Sequence, residues 1–258
     1  MDDLKVNQNP KLGSIDRPNS YIGRSVPRQN AKKHLDGGGQ FVDDLTLPRM
    51  VHVAFLRSPF AHAEIKSIDV KKAKQSDGVI DVFTAKEIDE VCTPWVGVLG
   101  HLGEMRSPEQ SPLANNIARW QGEPVAVVIA NSRAQAEDAL ELIEVDWLEK
   151  DAQVDMETAL DPNAVIIHPE LGNNVFWTRT VNQGDVEKAF KEADAVVETT
   201  LDFARHTGVT LESRGIVADW NKAENKMTIC HNGQAPHMMQ HIIAKHLDLN
   251  EGLVRIIS

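Results

Sequence analysis

Gly122-Glu-Pro-Val-Ala-Val-Val-Ile-Ala-Asn-Ser-Arg-Ala-Gln-Ala-Glu-Asp-Ala-Leu-Glu-Leu-Ile-Glu-Val-Asp-Trp-Leu148 is the stretch whose reading decides the fold class. Val125–Ala130 is an unbroken apolar run of strand length, opened by the turn residues Gly122 and Pro124. Such a run, without polar alternation, predicts a buried central strand. Ser132 can cap a helix, because its hydroxyl satisfies a backbone N–H left unpaired in the first turn, and Gln135 is placed to complete a capping box. The spacing predicts a helix over Arg133–Ile143 with Ala136, Ala139, Leu140 and Ile143 on one face. Val145–Leu148 then returns as a strand. The unit is strand–helix–strand.

Upstream, Met50–Arg57 and Ala63–Val70 alternate and read as strands, Val79–Phe83 as a short one, and Thr84 caps a helical start over 84–90. Asp36-Gly-Gly-Gly-Gln40 is a tight turn opening this region. Residues 1–20 are polar and aperiodic and are expected to be a flexible arm. Residues 92–119 carry Pro94, Gly97, Gly100, Gly103, Pro108 and Pro112 and read as a long connection, of the kind that is often functional.

Downstream, 150–183 is loop-rich, which places a domain boundary there and gives an arm over 1–20, a first domain over 21–155 and a second over 156–258. Asp185 caps a helix to Ala193. Ala195–Ala204 reads as a long strand. Gly215–Asn221 and Lys226–Asn232 form a hairpin around Lys222-Ala-Glu-Asn225. Pro236 suits the first turn of a helix to Leu247, and Val254–Ile257 is a last strand. The whole is a two-part α+β protein.

Composition narrows the partners. The chain has 258 residues, 27 Lys+Arg against 38 Asp+Glu and a net charge of −11. That charge disfavours nucleic acid and anionic membrane surfaces as partners. No apolar stretch is long enough to span a bilayer, and Met1-Asp-Asp-Leu-Lys lacks the charged and apolar regions of a signal peptide, so a cytoplasmic protein is expected. Cys92 and Cys230 are the only cysteines, too few for a four-thiolate iron–sulfur cluster or a disulfide framework.

The motifs that remain are modest. There is no GxGxxG, no GxxxxGK[ST] and no GxSxG, so nucleotide and α/β-hydrolase chemistry lack their signals. His237 and His241 have metal-ligand spacing on one helix, but Met238-Met239-Gln240 between them supplies no general base and no third ligand is evident, so no metal site is assigned. The competing reading of that helix is a polar or interface face, with Met238, Met239, Ile242 and Ile243 in contact positions. Glu198 and Asp202 share a face of the expected strand as solvated charges. Arg205-His206-Thr207-Gly208-Val209-Thr210-Leu211-Glu212 follows that strand and is dense in polar groups, a candidate binding loop beside the plainer reading of a solvated connection.

The order of segments goes further. Tyr21-Ile-Gly-Arg-Ser-Val-Pro-Arg28, Gly39-Gln-Phe-Val-Asp-Asp44, Phe55-Leu-Arg-Ser-Pro-Phe-Ala-His62, Gly122-Glu-Pro-Val-Ala-Val-Val128, Ala136-Glu-Asp-Ala139, Glu144-Val-Asp146, His168-Pro-Glu170, Gly172-Asn-Asn174, Gly184-Asp185, Leu211-Glu212 and Gln234-Ala-Pro-His237 occur in series. This series resembles the start of the molybdenum-binding large subunit of the xanthine dehydrogenase, aldehyde oxidase and carbon monoxide dehydrogenase family. The resemblance implies an α/β hammerhead domain over about 30–150 and, from about 160, the first, incomplete portion of a molybdopterin-binding domain.

It also implies a molybdenum hydroxylase that oxidises an aldehyde or an N-heterocycle with water as oxygen source. The molybdopterin cofactor would be in the complete enzyme, in a form that can carry cytosine dinucleotide, with iron–sulfur and FAD groups on partner subunits. The family's Gly-Gly-Gly-Phe-Gly run and its base glutamate fall beyond Ser258, so no catalytic residue is assigned within the sequence. A second polypeptide carrying the rest of the molybdopterin domain is the expected partner. The alternatives are a truncated fragment or a non-catalytic assembly module. Where the family often places a glutamine before Leu-Glu, this chain has Arg205-His206-Thr207, which makes His206 the candidate near molybdenum. Gln234 is the candidate cofactor-binding residue.

Overall fold

A computed structural model describes Tyr21, Ser25–Arg28, residues 31–97 and residues 103–258. The arm expected over 1–20 lies outside the described residues. Two compact units divide the chain, Met1–Leu45 and Thr46–Ser258. In the first, a short helix α1 (Ala31–Leu35) is followed by a 3-10 turn over Val42–Asp44. Gly37, at φ +72°, takes the left-handed conformation that lets the chain leave α1.

The second unit contains, in order, β1 (His52–Arg57), β2 (Ala63–Asp69), α2 (Lys71–Lys74), β3 (Val79–Thr84), α3 (Ala85–Ile88), β4 (Trp95–Val96), β5 (Glu109–Gln110), β6 (Ile117–Ala118), β7 (Pro124–Ala130), α4 (Arg133–Leu140) and β8 (Glu144–Glu149). Then come α5 (Val186–Glu192), β9 (Ile216–Asn221), β10 (Lys226–His231), α6 (Pro236–His246) and β11 (Val254–Ile257). Among the described residues, no helix is long and apolar enough to cross a membrane. The mixture of helix and sheet is the α+β class expected.

Strand β7 is the centre of a three-stranded sheet, flanked by β1 and β3, both antiparallel. Its unbroken apolar run follows from burial on both faces. Ala126, Val128 and Ala130 pack with α4, while Val127 turns to the opposite side with Ala85 and Leu113. Burying each such Val removes it from water for about 1.5–3 kcal/mol. Helix α4 presents Ala136 and Ala139, both fully buried, to this sheet. Their small side chains let the helix backbone sit close to the strands.

The returning strand β8 does not join the sheet of β7. It pairs antiparallel with β2 in a second sheet, ordered β6-β2-β8, with Ile68 opposite Val145. Ile68 and Val145 pack against the buried cluster that also holds Ala136 and Ala139, so the second sheet shares that core. The helix ends at Leu140, three residues earlier than its apolar spacing suggests. Glu141, Leu142 and Ile143 each donate to the carbonyl three residues back, tightening the last turn while Ile143 stays in the core. The cap is half of the expected box: Ser132 Oγ accepts from Gln135 N at 3.3 Å, but Gln135 Oε1 accepts from the Ser132 hydroxyl, not its backbone N–H. At α3 the anchoring is fuller, with Glu87 Oε2 accepting from both Thr84 N and Thr84 Oγ1. Short strands stand at the described parts of the connection read over 92–119, where β4 pairs β5 and β6 pairs β2.

The later part holds the third sheet, ordered β11-β10-β9. Strands β9 and β10 form the expected hairpin, closed by Asn221, whose side-chain oxygen accepts from Ala223 N and Glu224 N. Strands β10 and β11 are parallel, joined by α6 as a strand–helix–strand crossover. Asp185 caps α5 through Lys188 N at 2.9 Å.

One expected element is corrected. Ala195–Ala204 is not a strand: among the described residues it pairs with nothing and lies fully exposed. A strand needs a ladder partner and a covered face, and nothing in the described chain supplies either to this segment. Val197 is 89% exposed, Leu201 86% and Phe203 82%.

Candidate functional site

The carboxyl ends of the parallel strands β10 and β11 meet a glycine loop and the first turn of α6. Ligands of open α/β sheets characteristically lie outside such strand ends. His231 closes β10 and is buried. Its Nδ1 accepts from Gly233 N at 3.0 Å, which assigns the ring proton to Nε2, facing Ser258 Oγ at 3.3 Å just past β11. A Cβ on Gly233 would lie 2.2 Å from the His231 ring, so this close approach requires glycine. Ala235, at φ +54°, then turns the chain into α6, with Pro236 in the first turn. Gln234 sits on this loop and is exposed.

Asn232 links the loop to the segment ending in Leu211-Glu212. Its amide nitrogen donates to the carbonyl oxygens of Glu212, at 3.3 Å, and Ser213, and its oxygen accepts from Gly215 N at 3.2 Å. Two segments that stood apart in the sequence series thus meet through one side chain. His206 lies on the exposed stretch before them, edge-on to Phe203 with ring centroids 5.3 Å apart. Neither His206 nor Gln234 lines the cavity beside Arg119 and Glu123 or the one between Arg106 and Val175–Thr178. Glu198 and Asp202, without the strand that would align them, are exposed.

The two-histidine helix resolves into separate contacts. His241 Nδ1 lies 2.6 Å from Glu251 Oε1, and His246 Nδ1 lies 3.0 Å from Thr93 Oγ1. Among the described residues, no three His, Cys, Asp or Glu side chains gather where a metal could be held. Gly172-Asn-Asn174 has a structural role. Asn174 Nδ2 donates to the carbonyls of Ala159 and Val165, and Arg106 reaches Leu171 O, Asn173 Oδ1 and Val175 O, fastening the linker to the loop before β5.

Sequence reading missed a second polar cluster, Arg119, Glu123 and His168, which lines a cavity of about 280 Å³. Glu123 and His168 both stand in the motif series of the sequence, but nothing in the linear pattern says that they meet at one cavity.

Comparison with known proteins agrees with this geometry. Residues 36–151 match the aldehyde oxidase and xanthine dehydrogenase a/b hammerhead domain, and residues 167–258 match the molybdopterin cofactor-binding domain. The chain is 32% identical to the nicotine 6-hydroxylase large subunit of Paenarthrobacter nicotinovorans, over 97% of this chain and 30% of that protein. It is 28% identical to the carbon monoxide dehydrogenase large chain of Afipia carboxidovorans, over 95% of this chain and 31% of that protein. Among solved structures, quinoline 2-oxidoreductase from Pseudomonas putida 86 superimposes with a TM-score of 0.83 at 33% identity, covering 90% of this chain and 29% of that one. The aldehyde oxidoreductase from Desulfovibrio gigas gives 0.80 at 25% identity, covering 90% of this chain and 26% of that one.

Two consecutive domains of one family in one order define the class: a hammerhead domain followed by part of a molybdopterin cofactor-binding domain. The chain belongs to the xanthine dehydrogenase, aldehyde oxidase and carbon monoxide dehydrogenase family. It spans about 30% of the length of the curated relatives it matches.

The residues present do not by themselves enclose a molybdopterin. Gln234 and His206 stand exposed, and the loop over 205–212 has no covering element among the described residues.

Proposed function

We propose that this chain is the N-terminal part of the molybdenum-binding large subunit of a molybdenum hydroxylase. In that reading the complete enzyme oxidises an aldehyde or an N-heterocycle with water as oxygen source, and the cofactor carries the redox chemistry while the protein binds and orients it. The observation that carries the reading is the pair of family domains in series, superimposing on an oxidoreductase of known structure over nine-tenths of the chain. The names of the relatives, which include N-heterocycle hydroxylases and an aldehyde oxidoreductase, support the substrate class.

The part played by these residues is positional. Asn232 and His231 set the course of the loops bearing Glu212 and Gln234, and further polypeptide covers those loops to complete the pterin site. His206 and Gln234 then face the cofactor, which takes the plain or the cytosine dinucleotide form. Iron–sulfur and FAD groups on partner subunits carry electrons away, and the assembly works in the cytoplasm. The hammerhead domain occupies 21–155 and the molybdopterin portion 156–258.

The test is to tag the chain in its native host, purify it with whatever accompanies it, and measure molybdenum and oxidation of quinoline and benzaldehyde. Molybdenum is expected only in preparations that also hold the rest of the family's length, and the 258-residue chain alone is expected to hold none. Stoichiometric molybdenum on the chain alone would overturn the incomplete-site reading. A complete assembly devoid of molybdenum would favour a non-catalytic assembly module.

A further inference from the structure

The cavity of about 280 Å³ beside β6 is close to the lower size of small-molecule pockets, about 300 Å³. Leu113, almost wholly buried, forms part of its apolar lining, and Trp120 contributes an indole. Its ionisable side chains are Arg119, Glu123, Glu109 and His168.

Arg119 is the anomaly. Its Nε is buried with no hydrogen-bond partner among the described residues. A guanidinium has five donors and no acceptor, so a buried, unanswered N–H costs about 1–3 kcal/mol. Two nearby carboxylates, Glu123 and Glu170, feel the Arg119 charge but make their hydrogen bonds elsewhere. Glu170 Oε1 is 3.1 Å from His168 Nδ1, and Glu123 Oε2 accepts from the backbone N–H of Arg119 at 2.5 Å, not from its guanidinium. Burial also pushes the Glu123 carboxyl up, which favours its neutral form and reduces negative charge at the cavity wall. The cavity therefore presents a guanidinium whose buried Nε–H lacks an acceptor, an aromatic side chain and an apolar lining.

We propose that this cavity binds a small planar carboxylate, its oxygens taken by the Arg119 guanidinium and its body lying between Trp120 and Leu113. The cavity is lined by residues 109–123 of the hammerhead domain and by His168 of the part that follows it.

Benzoate titrated into the isotopically labelled 258-residue chain tests this, read by the indole N–H resonance of Trp120, assigned with Trp120→Phe. A saturable shift is expected with benzoate, and at least tenfold weaker binding with neutral benzamide. Arg119→Gln is expected to abolish the shift at an unchanged melting temperature, and Arg119→Lys to retain part of it. No saturable shift, equal response to benzamide, or an unchanged response in a folded Arg119→Gln protein would each overturn the proposal. If Arg119→Gln does not fold, the benzoate and benzamide comparison on the unaltered chain decides.

Discussion

The amide nitrogen of Asn232 donates to the backbone carbonyl of Glu212, 3.3 Å away and twenty residues earlier. With its bonds to Ser213 O and Gly215 N, it fixes where the irregular stretch before β9 meets the end of β10. Replacing Asn232 by Leu removes all three bonds, at about 0.5–1.5 kcal/mol each, and takes the acceptor from Gly215 N, while Glu212 O keeps the Thr210 hydroxyl. Asn232→Asp keeps the acceptor for Gly215 N but loses the donor. Amide exchange is expected to speed at Gly215 in Asn232→Leu and to stay slow there in Asn232→Asp.

Val125 is fully buried at the start of the central strand, and Lys72 is an exposed partner of Glu144. Val125→Asp places an unpaired charge in the core, costing several kcal/mol. Lys72→Asp loses only a solvent-screened surface pair and is expected to be far milder. Thermal melting of the two variants makes the comparison, and equal midpoints would contradict the central position of β7.

Close approach of α4 rests on alanine. Ala139 is fully buried against the first sheet, and Leu there overpacks the core by about 1–3 kcal/mol. Ala134, exposed on the same helix, tolerates Leu with little change. Urea unfolding of the two variants is the measurement.

Stability should depend on pH through Glu123. Burial raises its carboxyl above the ordinary 4.5, so the folded chain holds that proton more tightly than the unfolded one. This contribution is fully present below 4.5 and is lost as pH rises through the higher folded value. Glu123→Gln stays neutral and can still accept from Arg119 N. Its stability relative to the unaltered chain is expected to improve as pH rises from 4.5, as followed by urea unfolding across that range.

Residues 193–212 should be cut by protease before the strands of the first sheet. They lack regular structure and are almost wholly exposed, whereas 254–257 pairs with β10. Limited proteolysis with mass mapping is expected to cleave within 193–212 before any site in 124–130. In a monomeric chain, amide protection over 195–203 equal to that over 125–130 would contradict the exposed state of this segment.

Local chemistry was legible wherever it acts over a few residues. The apolar run of β7, the Ser132 and Asp185 caps, the Asn221–Asn225 hairpin and Pro236 at the start of α6 each declare themselves through propensity or a short hydrogen bond. The series of short motifs identified the family because their order is specific even where each is modest. The Ala195–Ala204 strand failed for the reason that limits all such readings. Its β-prone residues state a preference, and a ladder needs a partner that the segment cannot supply to itself.

What the sequence by itself determined, then, is the type and order of the elements, because caps, turns and hydrophobic period are properties of neighbouring residues. Which sheet each strand enters was decided only in three dimensions. Nothing local in Glu144–Glu149 says that β8 pairs with β2 instead of joining β7, since that choice depends on the cross-strand partners, such as Ile68 opposite Val145, that only the folded chain supplies. The same holds for the sites. Asn232 meets Glu212, and His168 joins Arg119 and Glu123, through contacts between residues far apart along the chain, and such contacts exist only once packing has brought the distant segments together.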